Sequence, residues 1–196
     1  MTPTIPENVV STARHEAAHA VAAERLGRGW FSLWVGAGPT EGNGVCDFWG
    51  CPGLDPVPAA ATALAGIWQN SEPESAEVWL AFLDTDFHIM VWGDIRCGSE
   101  DADTLVALEA LKLPRVESSH SLPPSLVEAA KLCHATMSTV KARKRVDTLA
   151  GALLEAWTPP GGGVVFAQPD GSVSSVSLTG TLQRLNLAGD HRVVAP

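Results

Sequence analysis

No stretch of this 196-residue chain approaches the ~20 consecutive apolar residues of a membrane-spanning helix, so no transmembrane role is expected. Positive charge is scarce. Thirteen Lys and Arg against 22 Asp and Glu leave a net charge of −9. That balance argues against general nucleic-acid binding and does not favour a membrane surface. The four cysteines, Cys46, Cys51, Cys97 and Cys133, include no CxxC pair. A structural zinc site is therefore not indicated, and reduced thiols are expected, although Cys46 and Cys51 are near enough in sequence to meet in a loop. The pattern GxxxxGK[ST] is missing, which excludes a P-loop ATPase. The opening Met-Thr-Pro-Thr-Ile-Pro-Glu-Asn lacks the basic and apolar regions of a secretory signal, and a cytoplasmic location is expected. Tyrosine is absent while tryptophan occurs seven times, which we read as core packing only. No internal repeat is present.

The length suffices for one domain with a proper core. Thr4-Ile5-Pro6-Glu7 has the form of a capping box with Pro in the first turn, opening a helix that runs to about Leu26, before Gly27. Its apolar stripe is Val10, Ala13, Ala17, Ala20 and Val21. Trp30–Val35 and Val45–Trp49 read as strands around a Gly-, Pro- and Asn-rich loop. Val57–Gln69 reads as one buried helix, with Ala60, Leu64, Ile67 and Trp68 at helical spacing. Asn70-Ser71-Glu72-Pro73-Glu74 breaks it. Glu77–Trp92 starts as a helix, and its second half fits helix or strand. Ser99 is a plausible N-cap for a helix opening on Glu100, Asp101 and Asp103, with Leu105, Leu108 and Leu111 on one face. Helices from Ser125 and over Val140–Trp157 follow. After the Pro/Gly run at 159–163, Val164–Ala167 and Ser172–Leu178 flank Gln168-Pro169-Asp170-Gly171, the signature of a β-hairpin. The fold class is thus α+β, mainly helical, with a small sheet.

The chemistry concentrates in His15-Glu16-Ala17-Ala18-His19, an HExxH pattern within an Ala-rich stretch free of Pro and Gly. Residues four apart on a helix lie on the same face, so both imidazoles can address one ion. Glu16 lies one step round and can reach a water bound to that ion. A zinc ion there lowers the pKa of the water to about 7, and the carboxylate takes the proton. A catalytic zinc usually keeps three protein ligands. The next metzincin position, 25, is Arg, so the third ligand is distant. Asp94, Asp101, Asp103, Glu72, Glu74, Glu77, His88, His120 and His134 are the candidates.

His-Glu-Ala-Ala-His-Ala-Val-Ala-Ala resembles the motif of the peptidase domain in FtsH-type AAA zinc metalloproteases. Leu64-Ala65-Gly66, the segment Gly98–Ala107 and the run Val146–Glu155 are similar, in order, to later features of that family. The resemblance covers roughly residues 8–158. It implies a zincin-like peptidase domain over 1–158, followed by a Gly/Pro linker and β-hairpin tail over 159–196. It also implies Asp103 as third ligand, by an Asp-x-x-x-Ala spacing that ends on Ala107, with Asp101 as the alternative. His15, His19 and Asp103 would hold Zn2+, with Glu16 as catalytic base. The ATPase and membrane anchor of the family have no counterpart here. The chain alone would cut flexible or unfolded polypeptide, or work with a separate ATPase or regulatory partner. The alternative expectation is a latent or inactive module that acts in protein binding or regulation.

Lys141, Arg143, Lys144 and Arg145 form a basic cluster, read as a solvated helix face. His88 and His134 lie in apolar surroundings that suit core or edge histidines.

Overall fold

The structure, a computed structural model, describes residues 5–36, 44–48, 55–92, 99–113, 121–159 and 162–177, without the side chains of 47–48 and 86–102. It is α+β. Helix α1 (Glu7–Arg25) is followed by strands β1 (Trp30–Val35) and β2 (Gly44–Phe48). Five helices come next in order: α2 (Pro56–Ala63), α3 (Ala65–Ser71), α4 (Ala76–Trp92), α5 (Ser99–Ala110) and α6 (Pro124–Met137). Helix α7 (Val140–Ala156) and strands β3 (Gly163–Ala167) and β4 (Val173–Ser177) close the described chain.

Helix α1 starts because Pro6 cannot donate but can accept, and its carbonyl takes the N–H groups of Val9 and Val10 at 3.1 and 3.2 Å. Thr4 of the expected capping box lies outside the described residues. The helix ends at Gly27, whose φ of 77° suits a residue without Cβ. Arg28 N–H then reaches back to the Ala23 carbonyl at 2.7 Å. The buried stripe starts at Val9 rather than Val10, which is only half-buried, and continues through Ala13, Ala17, Ala20 and Val21. Alanine at 17, 18, 20, 22 and 23 keeps this helix thin, and α7 and α3 pack closely along it.

The four strands form one antiparallel sheet in the order β2-β1-β3-β4. The hairpin read near the C-terminus is present, and β3 also pairs with β1, setting Leu33 opposite Val165 and Val35 opposite Gly163. Gln168-Pro169-Asp170-Gly171 closes it. Gly171 N–H donates to the Gln168 carbonyl at 3.0 Å, and Gly171 takes a φ of 80°. Leu33, Val35 and Val165 are wholly buried. They share a sheet face with Gly163, where a β-carbon would meet the α7 backbone, so this face is the one covered by helices.

The stretch Val57–Gln69 is not one helix. It breaks at Leu64, dividing α2 from α3. The second half of α4 is helical through Trp92, not a strand. In α5 the buried face passes through Thr104, Ala107 and Leu108, while Leu105 and Leu111 are half-buried. That offset turns Asp103 inward. Trp68, Trp79, Leu33, Leu64 and Ile67 anchor the core. Cutting a fully buried leucine such as Leu64 to alanine costs about 2–5 kcal/mol. Among the described residues no helix is long and apolar enough to cross a membrane.

Candidate metal centre

His15 and His19 project from the middle of α1, one turn apart, and both are buried. Their Nε2 atoms are 3.2 Å apart. Asp103, from the first half of α5, brings Oδ2 to 3.0 Å from Nε2 of His15 and 3.3 Å from Nε2 of His19. Among the described residues this is the only such cluster of three metal-ligating side chains. An ion with tetrahedral bonds of 2.0–2.1 Å spaces its ligand atoms about 3.3–3.4 Å apart, close to the edges of this triangle. Oδ2 of Asp103 is shut off from solvent, yet it accepts no well-directed hydrogen bond. A buried carboxylate oxygen facing two ring nitrogens is suited to a shared cation.

The outer contacts fit the same chemistry. Nδ1 of His19 donates to the Thr62 carbonyl at 2.9 Å, which leaves its Nε2 turned toward Asp103 and His15. Thr62 is in the last turn of α2, where its carbonyl meets only the Leu64 N–H and has room for a second donor. The break at Leu64 therefore supplies the acceptor. Nδ1 of His15 lies 3.2 Å from Nδ2 of Asn70, at the end of α3, so the structure turns the amide nitrogen toward the ring. When Nε2 of His15 is a ligand, Nδ1 carries the proton, and a turned Asn70 amide would accept it on its oxygen.

Two glycines give the cluster its room. A β-carbon on Gly66 would fall 2.6 Å from Nε2 of His19 and would also collide with the His15 ring. A β-carbon on Gly44 would fall 2.5 Å from Cγ and 2.6 Å from Oε1 of Glu16. Glu16 is buried, and Gly44 places the start of β2 directly against it. β2 is an outer strand of the described sheet, paired with β1 on one side.

Burial disfavours a charged His19 ring, but the Asp103 carboxylate outweighs it, with further help from Glu16 and the Thr62 carbonyl, and raises its pKa to about 9. Burial likewise works against the Asp103 anion, yet the His19 and His15 rings hold its pKa down at about 2. Without a metal, the pair is a buried ion pair at neutral pH.

The structure thus brings together His15, His19 and Asp103, with Glu16 adjacent. The side chain of Asp101 lies outside the described residues, as do those of Asp94, His88 and His120. Glu72 instead pairs with Arg14 at 3.5 Å, and His134 accepts from the indole of Trp68 at 3.1 Å. Cys46 stands half-buried in β2, and Cys51 lies outside the described residues. A separate cavity of about 450 Å3 at the C-terminal end of α1 holds no cluster of metal-binding side chains; its one carboxylate, Glu24, is paired with Arg145. Sequence reasoning missed Asn70, which stood in a helix-breaking run, and the Thr62 carbonyl, a backbone group with no side-chain signature. The glycine of Leu64-Ala65-Gly66 was the one available pointer to a close approach.

Comparison with protein-family models, curated proteins and solved structures finds no match to this chain.

Proposed function

We propose that this protein is a zinc-dependent endopeptidase that hydrolyses peptide bonds in flexible or unfolded polypeptide. The observation that carries the reading is the meeting of His15 Nε2, His19 Nε2 and Asp103 Oδ2 at 3.0–3.3 Å beside a buried Glu16. Two imidazoles and one carboxylate are the donor set of many hydrolytic zinc sites. Zinc, when bound there, polarises the scissile carbonyl and lowers the pKa of water to about 7.

The chain's own residues supply the remaining functions. Glu16 accepts the proton of the attacking water and returns it to the departing amine, which needs a carboxylate held near both. Gly44 sets the depth at which Glu16 sits. Thr62 and Asn70 fix the imidazole orientations. The backbone of β2 that does not face β1 suits an extended substrate, which adds as a further strand beside Glu16. The resemblance to FtsH-type peptidase domains supports the same assignment and suggests a separate ATPase or regulatory protein as a partner for folded substrates.

The test is zinc per chain by plasma mass spectrometry, together with casein cleavage, for wild type, Asp103→Ala and Glu16→Gln. The proposal expects one zinc in wild type, little in Asp103→Ala, and full zinc without cleavage in Glu16→Gln. A folded wild type that takes up no zinc overturns it in favour of a binding or regulatory module. Undiminished cleavage by Glu16→Gln overturns the role of that carboxylate.

A further inference from the structure

Helix α3 carries both Gly66 and Asn70, so its placement sets the space and the hydrogen bond that His15 experiences. A polar contact ties α3 to α6. The indole N–H of Trp68, a side chain buried to 1 % exposure, donates to Nδ1 of His134 at 3.1 Å. The two rings meet edge to face with centroids 6.0 Å apart. Indole can only donate, so this contact requires a lone pair on Nδ1 and hence a neutral His134 with its proton on Nε2. A second proton, on Nδ1, would point at the indole N–H and abolish the bond.

We infer that His134 is a positioning residue for the metal centre: its neutral ring, by accepting the Trp68 indole, holds α3 so that Gly66 and Asn70 stand against His15. This rests on the reading of His15, His19 and Asp103 as a metal site.

The surroundings determine how the latch responds to acid. Arg143 of α7 lies over the Trp68 ring at 5.7 Å from its centroid. Lys131 stands one turn earlier on α6, and Glu77 of α4 interacts electrostatically with both Lys131 and His134. Helices α2 and α3, which also pack on α6, carry no charged side chain within their spans. The buried titratable groups of α1 are the site residues themselves. Arg143 and Lys131 oppose a positive His134, and Glu77 favours it. Once formed, the imidazolium has no acceptor in Trp68 and swings toward Glu77, releasing α3.

The experiment compares wild type with His134→Gln and His134→Phe. Glutamine offers an amide oxygen to the indole and does not titrate; phenylalanine keeps bulk without an acceptor. The first readout is the Trp68 indole resonance in 15N–1H spectra of the full chain, assigned with Trp68→Phe and followed from pH 8 to pH 5. It should move through a single titration in wild type and stay flat in His134→Gln. The second readout is zinc affinity by competition with a chelating dye at pH 7.5. His134→Phe should weaken it by roughly fivefold, the worth of one hydrogen bond, and His134→Gln should restore it.

A Trp68 resonance that ignores pH in wild type overturns the latch. Zinc affinity that is equal in all three proteins overturns the positioning role alone. A wild type that binds no zinc overturns the metal reading on which that role rests. If His134→Phe does not fold, the comparison of wild type with His134→Gln still decides: zinc affinities that fall in parallel from pH 8 to pH 5 overturn the proposal, and a smaller fall in the glutamine variant supports it.

Discussion

Gly66 and His19 are separated by less space than a methyl group needs: a β-carbon on the glycine would fall 2.6 Å from Nε2 of the histidine. The same carbon would press on the His15 ring, so the space that Gly66 leaves open is the space beside the two imidazoles of the candidate metal centre. This gives a prediction whose sign is informative. In an ordinary helix interior, Gly→Ala stabilises by about 0.5–1 kcal/mol. Here Gly66→Ala should do the opposite and also prevent both rings from addressing one ion. Zinc per chain should fall well below that of wild type, and the melting temperature in chelator should fall too. A variant that melts higher than wild type and binds zinc normally would show that the approach is looser than described.

Gly44 plays the corresponding part for Glu16, without touching the metal-binding nitrogens. Gly44→Ala should therefore separate binding from turnover. If the proposed mechanism holds, the displaced carboxylate no longer reaches the attacking water, while His15, His19 and Asp103 are undisturbed. General-base catalysis contributes about 10²–10⁴-fold, so kcat should drop by at least about tenfold with zinc content unchanged. Steady-state cleavage of a quenched fluorescent peptide, with metal analysis of the same preparation, checks this. A loss of zinc instead would mean that the strand and the metal site are coupled more tightly than the geometry implies.

The unequal legibility of the fold has physical causes. Helix α1 was readable because its signals are local: a Pro start, an alanine-rich interior and a Gly stop. The hairpin turn at Pro169-Asp170-Gly171 was readable for the same reason. The break at Leu64 was not, because Ala60 to Trp68 keeps one helical periodicity across it and contains no proline. The break answers to His19, which takes the Thr62 carbonyl 43 residues away in sequence. The pairing of β3 with β1 was likewise hidden, since its register joins residues more than 120 apart. The HExxH pair was visible as a motif. Asp103 could be selected among nine candidates only through the resemblance, because the approach of α5 to α1 depends on how α2 and α3 are stacked. The offset of the buried face of α5 toward Thr104 and Ala107 was obscured by a regular leucine spacing that pointed elsewhere.

Without metal, the His19–Asp103 pair should leave a signature in the pH dependence of stability. The folded pKa of His19, about 9, is above the ordinary 6.5, so its contribution is fully present below pH 6.5 and is lost as pH rises through 9. The folded pKa of Asp103, about 2, is below the ordinary 3.8, so its contribution is present above pH 3.8 and is lost as pH falls through 2. In chelator, stability from this pair should be greatest between about pH 4 and 6.5 and decline toward pH 9. Asp103→Asn removes the charge that stabilises the imidazolium, and the alkaline decline should flatten. Thermal unfolding from pH 4 to pH 10 for both proteins tests this. Identical slopes between pH 6.5 and 9 would show that the two groups do not share a charge interaction.

Asn70 allows a test of how the site is tuned. Its amide is the partner of Nδ1 in His15, and loss of such a partner typically weakens metal binding by about 10–100-fold. Asn70→Ala should show that loss in a chelator competition, since the ring then keeps neither its orientation nor its preferred tautomer. Asn70→Asp should behave differently. A carboxylate can only accept, so it fixes the proton on Nδ1, frees the Nε2 lone pair and makes the imidazole a stronger donor to the ion. Zinc affinity should equal or exceed that of wild type. An aspartate variant as weak as the alanine variant would mean that Asn70 donates to His15 in the metal-bound protein, and that Nε2 of His15 is not a ligand.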